Sequence, residues 1–359
     1  MKYLDEYRNS RYVNSLAAAI GKIATRSWNI MEICGGQTHA IARYRLESFL
    51  PDNIRLLHGP GCPVCVTPAE IIDKALQIAS LPGVIFTTFG DMLRVPGSKD
   101  DLFRVKALKG DVRVVYSPLD AVMLAEENPD REVVFFAIGF ETTLPVNLMA
   151  LEEARRKQLA NFSLLTSFFG VPPAIRAILA DPECKVDAFL TAGHVCSITG
   201  NGPYHRLAEE FRAPMVVTGF EPADILFGIY KAVLQLESGK HVVENAYTRA
   251  APENGNPAAQ ALIGRYTGIS GQERRGIGFI PRSGFRLKPE FAAFDADKRY
   301  IFDTGPAPLS HTCCAGKIMR GLMQPPDCPH FGKTCNPSFP LGAPMVSSEG
   351  ACAAYYRYR

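Results

Sequence analysis

The chain has 359 residues, 47% of them hydrophobic, with 39 basic against 36 acidic side chains and a formal net charge of +3. So even a balance supplies no sustained cationic field, which argues against nucleic acid as a partner. No window approaches about 18 consecutive apolar residues, and the start MKYLDEYRNSRYV carries neither an apolar run nor a small-residue cleavage site, so no membrane span or export signal is expected.

Ten cysteines without an export signal point to the cytoplasm, where thiols serve more often as metal ligands or redox groups than as structural disulfides. They fall into groups: Cys34, Cys62 and Cys65 near the front, Cys184 and Cys196 in the middle, and Cys313, Cys314, Cys328, Cys335 and Cys352 at the end. Two separate sulfur sites are expected from that distribution.

In chain order, a polar helical segment leads into WNIMEIC, Trp28 to Cys34, which reads as a strand followed by Gly35-Gly36 and a helix from near Thr38. A thiol at such a turn feels the helix N-terminus, which favours the thiolate and makes a better ligand or nucleophile. The alternative reading of Cys34 is a buried cysteine at a tight turn. Ile54 to His58 is the next strand, and Pro60, Gly61 and Pro63 break it, so Cys62 and Cys65 stand on a loop at its carboxyl end. Thr67, Pro68 and Glu70 have the spacing of a capping box that opens a helix over 68–80.

Alternation then continues, with strands over 84–89, 112–116, 132–138, 162–168, 187–191 and 214–218 and helices over 100–109, 142–158, 172–180, 203–211 and 222–236. A further helix is capped by Ser117-Pro118. Apolar strands separated by helices imply parallel sheets covered on both faces. The expected fold class is α/β, with two similar parallel-sheet domains and a smaller C-terminal iron–sulfur domain. The expected division is 1–117, 118–238 and 239–359, the last rich in Gly, Pro and Arg with weak strands near 276–280 and 300–303. Gly276-Ile277-Gly278 lacks the third glycine of a dinucleotide fingerprint and opens no helix.

Polar residues recur at the strand ends, including Asp91, Glu141 and His194, and in an all-parallel sheet such ends converge on one rim. An acidic residue there is more often a helix cap than a base, whereas His194, beside Gly193 and Cys196, could ligate a metal or move a proton. At the end of the chain, Cys313 or Cys314, Cys328, Cys335 and Cys352 are separated by turn-forming prolines and glycines that leave the thiols free to converge. Four thiolates suit a [4Fe–4S] cluster or tetrahedral zinc; the lack of paired CxxC spacings favours the cluster, and disulfides fit the compartment least.

CGGQTHAI (34–41), HGPGCPVCVTP (58–68), TTFGDMLRVPG (87–97), GFETT (139–143), AGHVCSITG (192–200) and MVSSEGACAAYY (345–356) together resemble the HypD family of hydrogenase maturation factors. The resemblance spans nearly the whole chain. It implies two α/β domains plus a [4Fe–4S] domain, and a role with the small chaperone HypC in assembling the Fe(CN)2CO unit of [NiFe] hydrogenase. HypE would deliver cyanide made with HypF, and the hydrogenase large subunit would be reached through HypC. By motif, Cys34 would bind the transient iron together with a HypC cysteine, and Cys62 and Cys65 would be a dithiol/disulfide pair. Cys328, Cys335 and Cys352 match cluster positions. The family segment resembles C-x-C-G, whereas this chain has Cys313-Cys314-Ala315-Gly316, so Cys313 or Cys314 supplies the fourth ligand.

The resemblance thus implies a metallocofactor assembly scaffold with thiol redox activity rather than a turnover enzyme. A competing reading is an iron–sulfur thiol–disulfide oxidoreductase resembling ferredoxin:thioredoxin reductase, which needs no third thiol at Cys34. A third makes the terminal cysteines a zinc staple. Cys184, in the DPEC turn, is expected to be an ordinary cysteine.

Overall fold

The structure is a computed structural model, and it describes residues 5–302 and 312–358. Its first strands are β1 (Trp28–Glu32), β2 (Ile54–His58), β3 (Val84–Thr88), β4 (Asp111–Val114), β5 (Glu132–Gly139) and β6 (Phe162–Phe169). They are followed by β7 (Ala188–Ala192), β8 (Met215–Thr218), β9 (Val243–Asn245), β10 (Thr267–Arg274) and β11 (Gly278–Leu287).

These strands form two sheets. The first has the order β2-β1-β7-β8-β9 and every neighbouring pair is parallel. The second has the order β10-β11-β6-β5-β3-β4, in which β6, β5, β3 and β4 are parallel and the β10–β11 hairpin joins antiparallel to β6. Strands β3, β7 and β8 are buried along their whole length, as expected of strands covered by helices on both faces. Each fully buried side chain such as Phe86, Phe136 or Phe189 contributes about 1.5–3 kcal/mol relative to exposure.

The sheets do not follow the sequential boundaries at 117/118 and 238/239. The chain places β1 and β2 in the first sheet, leaves for β3 to β6, returns for β7 to β9, and crosses again for the hairpin. Hydrophobic periodicity reports that a strand is buried, but the neighbour it pairs with depends on long-range packing. The segment after 239 is likewise divided. Val243–Asn245 completes the first sheet and the hairpin completes the second. Residues 312–358 are mostly turns, short helices and a final helix, Ala351–Tyr358.

Several local expectations change. Gly276 lies in the turn of the hairpin and Gly278 opens β11, so the strand expected near 276–280 runs over 278–287, whereas residues 300–302 carry no strand, while 303 lies outside the described residues. The Thr67 hydroxyl donates to the carbonyl of Pro63 instead of capping a helix, so the helix Ala69–Ala79 starts without a side-chain cap. The cap expected at Ser117 does form, and Asp120 completes it as a capping box by accepting from the Ser117 amide.

Candidate functional site

Glu32 and His58 end adjacent parallel strands and pair in register, so the turns that follow them, at Cys34 and at Gly61-Cys62, lie side by side. The Gly35 amide donates to the Gly61 carbonyl at 3.0 Å. A Cβ on Gly61 would lie 2.3 Å from the Cys34 nitrogen, so only glycine permits this approach of backbone to backbone. Cys62 and Cys65 are joined as a disulfide across the short helix Pro63–Val66, and the Cys65 amide donates to the Cys62 sulfur at 3.2 Å. Cys34 is a free, buried thiol in the same core as the pair.

The helix after Cys34 begins at Gly35, not near Thr38, and Cys34 is its N-cap residue without a side-chain bond. The thiol is nonetheless pushed up, not down. Burial is the main cause, and the carboxylates of Glu32 and Glu349 add to it, while the amides of Gln37 and Gly36 oppose it without prevailing. Desolvation therefore outweighs the helix N-terminus here.

His194 follows β7 and comes to Cys34: Nδ1 lies 3.7 Å and Nε2 3.9 Å from the sulfur. Burial lowers its pKa to about 4, so the ring is neutral near pH 7. Phe220, after β8, packs its ring 5.1 Å from His194. The Gln37 amide group donates to the carbonyls of Thr191, Thr218 and Gly219 at 3.3–3.4 Å and thereby ties the helix to the ends of β7 and β8.

Asp91 reaches the site through the chain's end: the Ser347 hydroxyl donates to its carboxylate at 3.3 Å, and burial raises the pKa of Asp91. Glu349, two residues on, is also raised, by burial and by the Asp91 charge. Glu141 is placed differently, its carboxylate accepting the Val171 amide at 2.9 Å at the start of the helix Val171–Leu179. Burial raises its pKa to about 7. Cys196 is buried, its thiol pushed up to about 12 chiefly by desolvation, as befits an inert thiol. Cys184 is half-buried in the turn after Asp181, its sulfur accepting the Val186 amide at 3.5 Å.

The terminal cysteines occupy one neighbourhood. Burial raises the Cys352 thiol, and the charges of Cys313, Cys335, Cys328 and Cys314 raise it further. Cys313 and Cys314 are also raised, by burial first and then by neighbouring thiols, Cys335 and Cys328 for Cys313 and Cys328 for Cys314. Among the described residues, no three His, Cys, Asp or Glu side chains close on one point as metal ligands. The donor set is nevertheless that of a thiolate-held group, and Gly342 leaves the space beside the Cys313 sulfur that a side chain would fill. A cavity of about 190 Å³ is lined by both Cys65 and Cys313, with Arg275 and Gly342 in its wall.

Three residues not singled out as candidates in the sequence lie at the site: Glu32, His58 and Tyr355, all buried and hydrogen-bonded in series. A signal existed, since Glu32 is the one charged side chain of the strand Trp28–Glu32 and follows the apolar Ile30-Met31.

The fold and site define a cysteine-centred α/β protein in which a free thiol and a disulfide stand on adjoining turns and Cys313 of a second group of cysteines lines a cavity with Cys65. The profile of the family described as "HypD: Hydrogenase formation hypA family" matches residues 11–359. The chain is 46% identical over 368 residues to the hydrogenase maturation factor HypD of Rhizobium leguminosarum bv. viciae, covering 100% of this chain and 96% of that one. Against HypD of Escherichia coli K12 it is 44% identical over 372 residues, covering 100% and 98%. The chain belongs to the HypD family of hydrogenase maturation factors. Among the described residues no helix is long and apolar enough to cross a membrane.

Proposed function

We propose that the protein is a redox-active cytoplasmic scaffold that, with HypC, binds iron and assembles the Fe(CN)2CO unit of [NiFe] hydrogenase. It accepts cyanide from HypE, which works with HypF, and the finished unit reaches the hydrogenase large subunit through HypC. The observation that carries the reading is the free Cys34 thiol set beside the Cys62–Cys65 pair on adjoining turns. A plain disulfide reductase has no use for that third thiol.

Low-spin iron carrying cyanide and carbon monoxide suits soft thiolate ligands, and Cys34 supplies one. Because the buried thiol holds its proton, iron binding there releases it. Removing cyanide from a thiocyanate-like carrier consumes two electrons and a proton and leaves the carrier thiol. The reduced Cys62/Cys65 pair supplies both electrons as its two S–H bonds give way to one S–S bond; one of the two protons goes to the carrier sulfur, the other is released, and cyanide leaves the carrier for the iron. His194 beside Cys34 and Asp91 beside Ser347, on turns after strands of different sheets, would serve as proton-holding or docking groups, and Glu141, whose carboxyl keeps its proton close to neutrality, would serve likewise. Cys313, Cys328, Cys335 and Cys352, with Cys314 as the alternate to Cys313, are the thiolates that would hold a [4Fe–4S] cluster, whose chemistry is one-electron transfer toward the disulfide. The cavity lined by Cys65 and Cys313 supports that assignment.

The test is infrared absorption with iron and sulfide analysis on anaerobically purified protein co-expressed with HypC, beside Cys34→Ala. Cyanide and carbon monoxide bands that vanish in the variant while cluster iron remains are expected. A redox-active cluster without bands in either sample would favour the oxidoreductase.

A further inference from the structure

Burying a carboxylate within a strand is costly unless its oxygens are satisfied, and those of Glu32 are. One oxygen, Oε2, accepts the Cys34 amide at 2.8 Å, and Oε1 takes the Thr38 hydroxyl and Nδ1 of His58, the latter at 2.8 Å. Cys34 and Thr38 bracket the first turn of the helix, so Glu32 grips the thiol-bearing turn at both ends. His58 extends the chain. Its Nε2 meets the Tyr355 hydroxyl at 2.6 Å, and that hydroxyl lies 3.0 Å from Glu47 Oε1 and 3.3 Å from Gln324 Oε1. All three members of the series are no more than 2% exposed.

Tyr355 sits on the final helix, three residues after Cys352, and both side chains are buried on that helix. The same helix packs on Gly35–Arg43, where Tyr358 meets His39 Nε2 at 3.1 Å without touching Glu32.

We propose that His58 and Tyr355 are positioning residues for Cys34: they hold the Glu32 carboxylate on the Cys34 turn, which makes the Cys352-bearing helix a structural part of the iron site. This rests on the reading of Cys34 as the iron ligand. A shift of the final helix as Cys352 engages its group is thereby passed to the Cys34 turn through three hydrogen bonds, with no contact between the two cysteines required.

The experiment compares full-length wild type, Tyr355→Phe and Tyr358→Phe by amide hydrogen exchange over residues 33–38. A ferrous titration follows the thiolate-to-iron absorption, with Cys34→Ala subtracted. Tyr355→Phe keeps the ring and removes only the hydroxyl. It is expected to speed exchange at Cys34–Thr38 and weaken ferrous binding, each by about tenfold, with the melting temperature retained. Tyr358→Phe is expected to change neither. Wild-type exchange or wild-type iron binding in Tyr355→Phe, or an equal change in Tyr358→Phe, would overturn the proposal. If Tyr355→Phe does not fold, His58→Gln carries the same comparison. Iron and sulfide analysis of the same samples separates the two questions. Absence of a cluster would count against the functional reading, while the exchange rates still decide the positioning of Cys34.

Discussion

The sulfur of Cys34 and Nδ1 of His194 lie 3.7 Å apart although 160 residues separate them in the chain. They meet because β1 and β7 are neighbours in one parallel sheet, so the turns after both strands open on the same rim. The contact gives His194 the position of a group acting on Cys34, the proposed iron ligand. His194→Ala is expected to lower the cyanide and carbon monoxide band intensity by about tenfold, the cost typical of losing a partner of a metal ligand. Bands of normal intensity per protein would remove His194 from the mechanism.

The Cys62–Cys65 disulfide makes a labelling prediction. Reduction with a dithiol before alkylation in denaturant should add labels at Cys62 and Cys65 that the unreduced protein does not take. In Cys65→Ser, Cys62 should take the label without reductant. Full labelling of both cysteines in unreduced wild type, purified in air, would contradict the pair.

Cys313 and Cys314 should differ as cluster ligands. Beyond the effect of burial, the Cys313 thiol is raised by Cys335 and Cys328, leads the cysteine charges that raise Cys352 and has its sulfur beside Gly342, whereas Cys314 comes last among those charges. Cys313→Ser is therefore expected to lose the brown absorbance and most of the iron and sulfide, and Cys314→Ser to retain them. The reverse pattern would make Cys314 the fourth ligand.

Glu141 gives a pH dependence. In the folded protein burial raises its pKa to about 7, against an ordinary value of 4.5. Between those values the folded state binds the extra proton. The stability tied to protonated Glu141 is thus complete below 4.5 and is lost as the pH rises through 7. The full shift corresponds to about 3 kcal/mol at 1.36 kcal/mol per pH unit. Glu141→Gln should flatten the melting temperature over that range, and an unchanged slope would show that other groups set it.

Much of the local structure was legible because it depends on neighbours in sequence. The buried strands at 54–58, 84–88 and 132–139 announce themselves as apolar runs, and the Ser117-Pro118 cap acts within one helical turn. The Thr67 cap was misread for a physical reason: the CxxC segment winds into its own short helix, whose Pro63 carbonyl claims the Thr67 hydroxyl. The expected lowering of the Cys34 pKa failed in a similar way, because the helix N-terminus is visible in sequence and the burial that defeats it is not.

By itself, then, the sequence determined the family and marked the cysteines as candidates for the chemistry, since cysteine type and spacing with Gly and Pro at fixed offsets are local properties. Pairing was left to the tertiary structure. It interleaved the two sheets, brought His194 to Cys34, set the Asp91 carboxylate on Ser347, turned Glu141 toward the Val171 amide, and ran Glu32 through His58 to Tyr355. Each of those contacts joins residues at least 26 positions apart, and their free energy comes from burial and hydrogen bonds that exist only once the whole core has formed.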